Sequence, residues 1–245
     1  MNDRRLRHRW LILSASLVGA ALTAAIVIAL FARGSGVGDS SQPSPTRPVP
    51  SDSASPTSTA SGGDAVDARV AKRGWVPEPI TQDADVYVGA ALEAAATFDT
   101  RHSSRDEWVK WLGTWFTPSP LYDDHQDALD QLGRYEAELA QTVVVPQSQW
   151  DDLAKNDGHV TARVDGPINY LDQTEATSKH VSTATANVVM TFTQSGDGTG
   201  AEASYDRTVR VSVQVVCGGA SVPTPGSAQR AGDCKVVRFF DTAVG

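Results

Sequence analysis

The chain has 245 residues, of which 40% are apolar and 20% charged, and it carries a formal net charge of -8. This is a globular balance, which excludes a chain disordered throughout and a protein that crosses a membrane many times. Two cysteines are too few for a disulfide-rich mini-protein or a four-cysteine zinc site.

Residues 1–10 form a basic tail, with Arg4, Arg5, Arg7 and Arg9 against Asp3. Leu11 to Phe31 follows as 21 residues without a charge. As a helix rising about 1.5 Å per residue it spans roughly 30 Å, the thickness of a bilayer core. Trp10 stands where an interfacial aromatic belongs, and only Arg33 follows the span closely. The positive-inside bias predicts a single-pass protein of the cell membrane, with its N-terminus cytoplasmic and residue 32 onward outside. A cleaved signal peptide is the competing reading. Its apolar region runs about 7–15 residues to a small-x-small site, whereas this run is longer and has no A-x-A triplet near its end, so an uncleaved transmembrane helix over 11–31 is expected. Ser16, Ala20 and Ala24 recur at a spacing that pairs membrane helices, or that simply reflects an Ala-rich span.

Residues 32–67 read as a disordered Ser/Pro/Gly-rich linker. Of the thirty residues 34–63, 22 are Gly, Ser, Pro or Thr, with almost nothing apolar to offset the entropy of ordering them. A flexible chain of that length has a typical end separation of roughly 30 Å. Such a tract is also open to O-glycosylation. Residues 68–245 then have the size of one extracytoplasmic domain. Beyond residue 33 there are 16 basic and 28 acidic residues, a net charge near -12, which argues against nucleic acid or anionic lipid as a partner of that domain. Arg outnumbers Lys 16 to 5, a bias typical of high-GC bacterial genomes.

Three helices are predicted first. In Asp83 to Phe98, Val88, Leu92, Ala95 and Phe98 share a face. In SSRDEWVKWLGTWF, Ser104 and Glu107 fit a capping box, and Trp108, Trp111, Leu112 and Trp115 follow at helical spacing until TPSP ends the helix. A third starts near Asp123, Asp124 and His125, with Leu129, Leu132, Tyr135 and Leu139 as its stripe. SQWDDLAKNDG reads equally as a short helix or a loop.

After VVVP the period becomes two. About four strands are expected: His159 to Val164; Val181 to Thr193, with Ala184, Ala186, Val188, Met190 and Phe192 on one face; a half-buried strand whose Val209, Val211, Val213 and Val215 alternate with Thr208, Arg210, Ser212 and Gln214; and Lys235 to Asp241, with Val237 and Phe239 opposite Val236, Arg238 and Phe240. Helices followed by hairpin-linked strands make an α+β domain whose helices cover one face of an antiparallel sheet. Cys217 and Cys234 lie at strand edges around a turn-rich stretch, and a disulfide between them would close a hairpin loop worth about 3 kcal/mol.

The chain has no nucleophile elbow, phosphate loop or zinc helix. GDGTG at 196–200 sits between strand patterns, as a hairpin turn does. The five histidines lack metal-ligand spacing. Asp123, Asp124 and His125 read either as an acid/base cluster or, at a helix start, as capping. The stripe Trp108, Trp111, Trp115 reads either as core or, where a ring is exposed, as a contact surface or pocket wall.

The order of span, tether, Ala-rich helix leading to ALEAAATF, Trp-rich RDEWVKWLGTWF, third helix and strand meander resembles the nuclear transport factor 2-like superfamily, over about residues 80–243. Within it the chain looks most like the TcpC family of Gram-positive conjugative elements and the related single-pass scaffold proteins of type IV secretion. The resemblance implies a curved sheet wrapped around a long helix, surfaces that assemble with themselves and with neighbouring membrane or secretion-complex proteins, and no cofactor, metal or catalytic residue to carry over. The expectation is a non-enzymatic, membrane-anchored scaffold in a conjugation or secretion complex. The alternative is an exported module for a lipid or hydrophobic metabolite, which needs a deep apolar cavity. A third reading, an isomerase-like enzyme, needs two ionisable groups converging in that cavity.

Overall fold

The computed structural model describes residues 65–171, 179–195 and 201–244. The basic tail, the apolar run 11–31, the linker as far as residue 64 and the GDGTG turn lie outside the described residues. Among the described residues no helix is long and apolar enough to cross a membrane.

Ala65 bridges to Pro79, and the Val66 N–H donates to the Glu78 carbonyl at 2.9 Å. A short 3-10 helix, Ala68–Arg73, ends at Gly74, whose φ of 73° favours glycine and whose Cβ would fall 2.7 Å from Asp99 Cβ. Helix α1 (Ala84–Ala94) starts at Asp83, which accepts from the Asp85 and Val86 N–H groups, and buries Tyr87, Val88, Ala91 and Leu92. It does not reach Phe98 as expected. Phe98–Asp99 forms strand β1, in which Phe98 opposes Val160 and lies against the rings of Trp108 (4.9 Å) and Trp150 (4.5 Å). Strand pairing and aromatic packing therefore outweigh one more helical turn.

Helix α2 (Arg105–Gly113) carries both halves of the Ser104/Glu107 capping box. Trp115 lies beyond its end, so the expected stripe leaves the helix at its last member. Helix α3 (His125–Glu138) is capped by Asp124, but its stripe is interrupted: Leu129 is 38% exposed, while Ala128 is buried. Leu139, buried, belongs to the π turn Leu139–Val143 that follows. The ambiguous segment resolves as helix α4 (Gln147–Ala154), which buries Trp150 and Leu153. The described residues thus hold four α-helices where three were expected, and five strands where about four were.

Those strands form one curled antiparallel sheet in the order β1-β2-β3-β4-β5, with β2 at His159–Tyr170, β3 at Val181–Ser195, β4 at Glu202–Val216 and β5 at Lys235–Phe240. β2 runs past the expected Val164 because Gly166, at φ 83°, takes up an irregularity between Asp165 and Asn169. On β3 the expected face is buried, from Ala184 to Phe192, and it packs with α1, α2 and α4 in a single core. Thr183 and Thr185 on the opposite face are buried too. Thr185 Oγ1 bonds Ser212 Oγ (2.6 Å) and the Val244 carbonyl (2.7 Å), and Gln214 donates to Thr183 (3.1 Å). Ser212 and Gln214 are therefore buried, not the exposed partners of an alternating β4.

β5 departs from its expected alternation. Val236 opposes Val215 and Phe239 opposes Val213, with a register shift between Gln214 and Val215. The bulge puts Val236 and Phe239 in the main core and sends Val237 to a second cluster with Val181 and Val216.

Candidate interaction surface

The interior of the half-barrel is occupied. Trp108 and Trp115 are fully buried, and Trp111 is half-buried between Trp75, stacked at 4.9 Å, and Trp115, edge-on at 5.6 Å. The stripe is thus core along most of its length. Tyr87 joins it, 5.9 Å from the Trp115 ring. Among the described residues the indole N–H groups of Trp108 and Trp115 have no acceptor.

A buried ion pair that sequence reasoning missed lies beside this core. Glu78 Oε1 accepts from Lys235 Nζ (2.7 Å), the Tyr87 hydroxyl (2.7 Å) and Gln229 Nε2 (3.2 Å). Lys235 Nζ also donates to the Thr114 carbonyl (2.9 Å) and Thr224 Oγ1 (2.7 Å), so all three of its N–H bonds are used. Burial pushes the Glu78 carboxyl up and pulls the Lys235 ammonium down, each opposed by attraction to the other. Burial and the neighbouring Glu78 carboxylate raise Tyr87 well above its ordinary value. These groups are tied to one another through Glu78 Oε1, while Glu78 Oε2 has no hydrogen-bond partner among the described residues. No local signal marks them, because Glu78 and Lys235 stand 157 residues apart in the chain.

The acidic trio resolves as capping and surface pairing. Asp124 Oδ1 accepts from the Gln126 and Asp127 N–H groups, Asp123 takes Lys179 Nζ at 3.0 Å, and His125 is exposed at the start of α3. Among the described residues no three His, Cys, Asp or Glu side chains converge as metal ligands. A surface cleft of about 490 Å³ lies between Ala65–Arg69 and Thr224–Ser227. Cys217 and Cys234 are joined by a disulfide that closes the β4–β5 connection.

What the fold leaves open is the outer reach of the sheet. Glu202 to Thr208 of β4 are exposed, and Tyr205, 54% exposed, stacks on buried Phe192 at 4.9 Å. The two long edges of the sheet differ. On β2, the Ala162 N–H is taken by Thr97 Oγ1 (3.0 Å) and the Val164 N–H by Glu93 Oε1 (3.1 Å), so side chains from α1 and the turn after it finish that edge. On β4, β5 pairs with Ser212–Val216 only. The open stretch follows from the ladder. Since Ala162 points away from β3, its opposite number Met190 points toward β4, and Arg207, opposite Met190, points back. Its even-numbered neighbours Glu202, Ser204, Asp206, Thr208 and Arg210 therefore turn their N–H and C=O groups outward. Among the described residues, no backbone group pairs with them on that side.

No family model matches the chain, and no curated protein matches it. Two solved structures are similar to it. One is an IcmL-like type IV secretion system protein from Legionella pneumophila subsp. pneumophila, 16% identical over 64% of this chain and 91% of that one, with a TM-score of 0.39. The other is CagV, a VirB8 homolog of the type IV secretion system from Helicobacter pylori strain 26695, 13% identical over 66% of this chain and 97% of that one, with a TM-score of 0.37. Both of those proteins belong to type IV secretion systems.

Proposed function

We propose that this chain is a non-enzymatic, single-pass membrane protein whose domain, on the outer side of the cell membrane, holds together protein components of a secretion or conjugation complex. The carrying observation is a contrast within one sheet: its concave interior is packed with buried aromatic and polar side chains, while among the described residues one edge and its outer reach stay uncovered. The buried Trp108 and Trp115 rings in that interior support this reading over a lipid carrier or an isomerase, either of which needs a deep apolar site. An uncovered strand offers main-chain hydrogen bonds to another protein. The run 11–31 supplies membrane attachment, the tether gives reach, and the net charge near -12 of the exported part keeps nucleic acid away. The conjugation or type IV secretion setting follows the resemblance in element order.

Cross-linking in living cells followed by affinity capture of the full chain tests the reading. Other membrane or secretion-complex proteins are expected in the captured material, and deletion is expected to lower DNA transfer or secretion at least tenfold. Recovery as a lone monomer, with transfer unchanged by deletion, overturns it. Protease added to intact protoplasts is expected to cut the domain; protection until lysis overturns its placement.

A further inference from the structure

We infer that the open edge of β4 pairs with the same edge of a second copy of this chain, antiparallel about a twofold axis at Asp206. The length of the open lane sets the register. In each copy, β5 ends at Phe240 opposite Ser212, so a neighbouring strand must stop short of that position. Overlap of Glu202–Arg210 with its own copy is the longest that respects this limit. It also brings every outward-facing residue of one edge opposite an outward-facing residue of the other, so each free N–H and C=O finds a partner.

The side chains complement one another in that register. On the outer face, where Asp206 already accepts from Thr191 and Ser204 bonds Thr193, Glu202 lies opposite Arg210 on both sides of the axis and Ser204 opposite Thr208. On the face shared with the core, Tyr205 lies opposite Arg207, a cation over an exposed ring, and Ala203 opposite Val209. Asp206 alone meets its own kind, at the axis. Along β2 the Ala162 and Val164 N–H groups are already taken by Thr97 and Glu93, and the ladder is irregular between Asp165 and Asn169, so no equally long regular lane is offered there.

The pairing rests on the reading of the domain as an assembly module, and it fails separately from that reading. The native cysteines are bonded to each other, so a variant cysteine supplies a single free thiol. In the full chain in cell membranes, Asp206→Cys places two thiols face to face, whereas Thr208→Cys leaves them roughly 14 Å apart along the strands. Mild oxidation is expected to give a disulfide-linked dimer from Asp206→Cys in at least tenfold greater yield than from Thr208→Cys. Adding Arg210→Glu to Asp206→Cys lowers the yield several-fold, and the swapped pair Glu202→Arg with Arg210→Glu restores it. Asp206→Asn tightens self-association about two- to fivefold by removing the like-charge contact. No dimer from Asp206→Cys, equal yield from Thr208→Cys, or a cross-link to a different protein only overturns the self-pairing. Continued capture of other partners in that event leaves the assembly role standing.

Discussion

The two long edges of the sheet meet the same physical demand in opposite ways. β2 is finished along its middle, where the outward N–H groups at Ala162 and Val164 are taken by side chains of Thr97 and Glu93, and its ladder is irregular between Asp165 and Asn169. β4 is closed by β5 over Ser212–Val216 and, among the described residues, bare over Glu202–Arg210. A fold that can finish one edge with two side chains, yet leaves the other unfinished, treats the second edge as a surface rather than a defect.

The largest test of this contrast is at β5, which closes the inner half of β4. Lys235→Met leaves Glu78 buried without its counter-charge and is expected to cost about 3–5 kcal/mol in denaturant unfolding of the full chain, whereas the double change Glu78→Gln with Lys235→Met recovers most of that loss. If the single change costs nothing, β5 is not what holds the closed half. Removing both cysteines is expected to cost about 3 kcal/mol, by freeing the connection that delivers β5 to its place.

At the finished edge, Glu93→Ala strands the Val164 N–H and is expected to cost about 1–3 kcal/mol, while Glu93→Gln keeps an acceptor and costs less. The pH dependence has a definite sign. Burial raises the Glu93 carboxyl, with the Val164 N–H pulling the other way. Relative to Glu93→Gln, the native chain is therefore most favoured below pH 4.5, the unperturbed carboxyl value, and loses that margin as pH rises through the raised folded value. An opposite slope in unfolding free energy against pH would remove Glu93 from the edge. The smallest effect belongs to the bare edge. Thr208→Pro deletes an N–H that the β3–β4 ladder does not use and, at a dilution where the chain is monomeric, is expected to change stability by no more than about 0.5 kcal/mol. A cost of several kcal/mol in the same assay would mean that this edge is covered after all.

Much of the fold could be read from local chemistry. Ser104 with Glu107, Asp83 and Asp124 mark three helix starts because a cap needs only residues a turn apart. The alternating valines of β4 marked a strand for a similar reason. What stayed hidden depends on distant partners. Phe98 left its expected helix for a strand partner sixty-two positions on, and Val237 changed sides because a bulge is invisible in a run of six residues. The aromatic stripe was legible as a stripe, but Trp75 and Trp150, which complete its packing, come from other segments. The open edge left one trace that could have been read: Glu202, Ser204, Asp206 and Thr208 make one alternating face of this stretch wholly polar, and Arg207 shares the other with Ala203 and Tyr205, unlike the run of valines that follows.

The bond between Glu78 and Lys235 also bears on how the domain comes into being. It ties a residue before α1 to β5, 157 positions on, a contact that forms only once β5 has been made. Until β5 emerges, the buried Glu78 carboxylate has no counter-ion. The nascent domain must therefore wait, open and vulnerable to aggregation, for its own C-terminal strand.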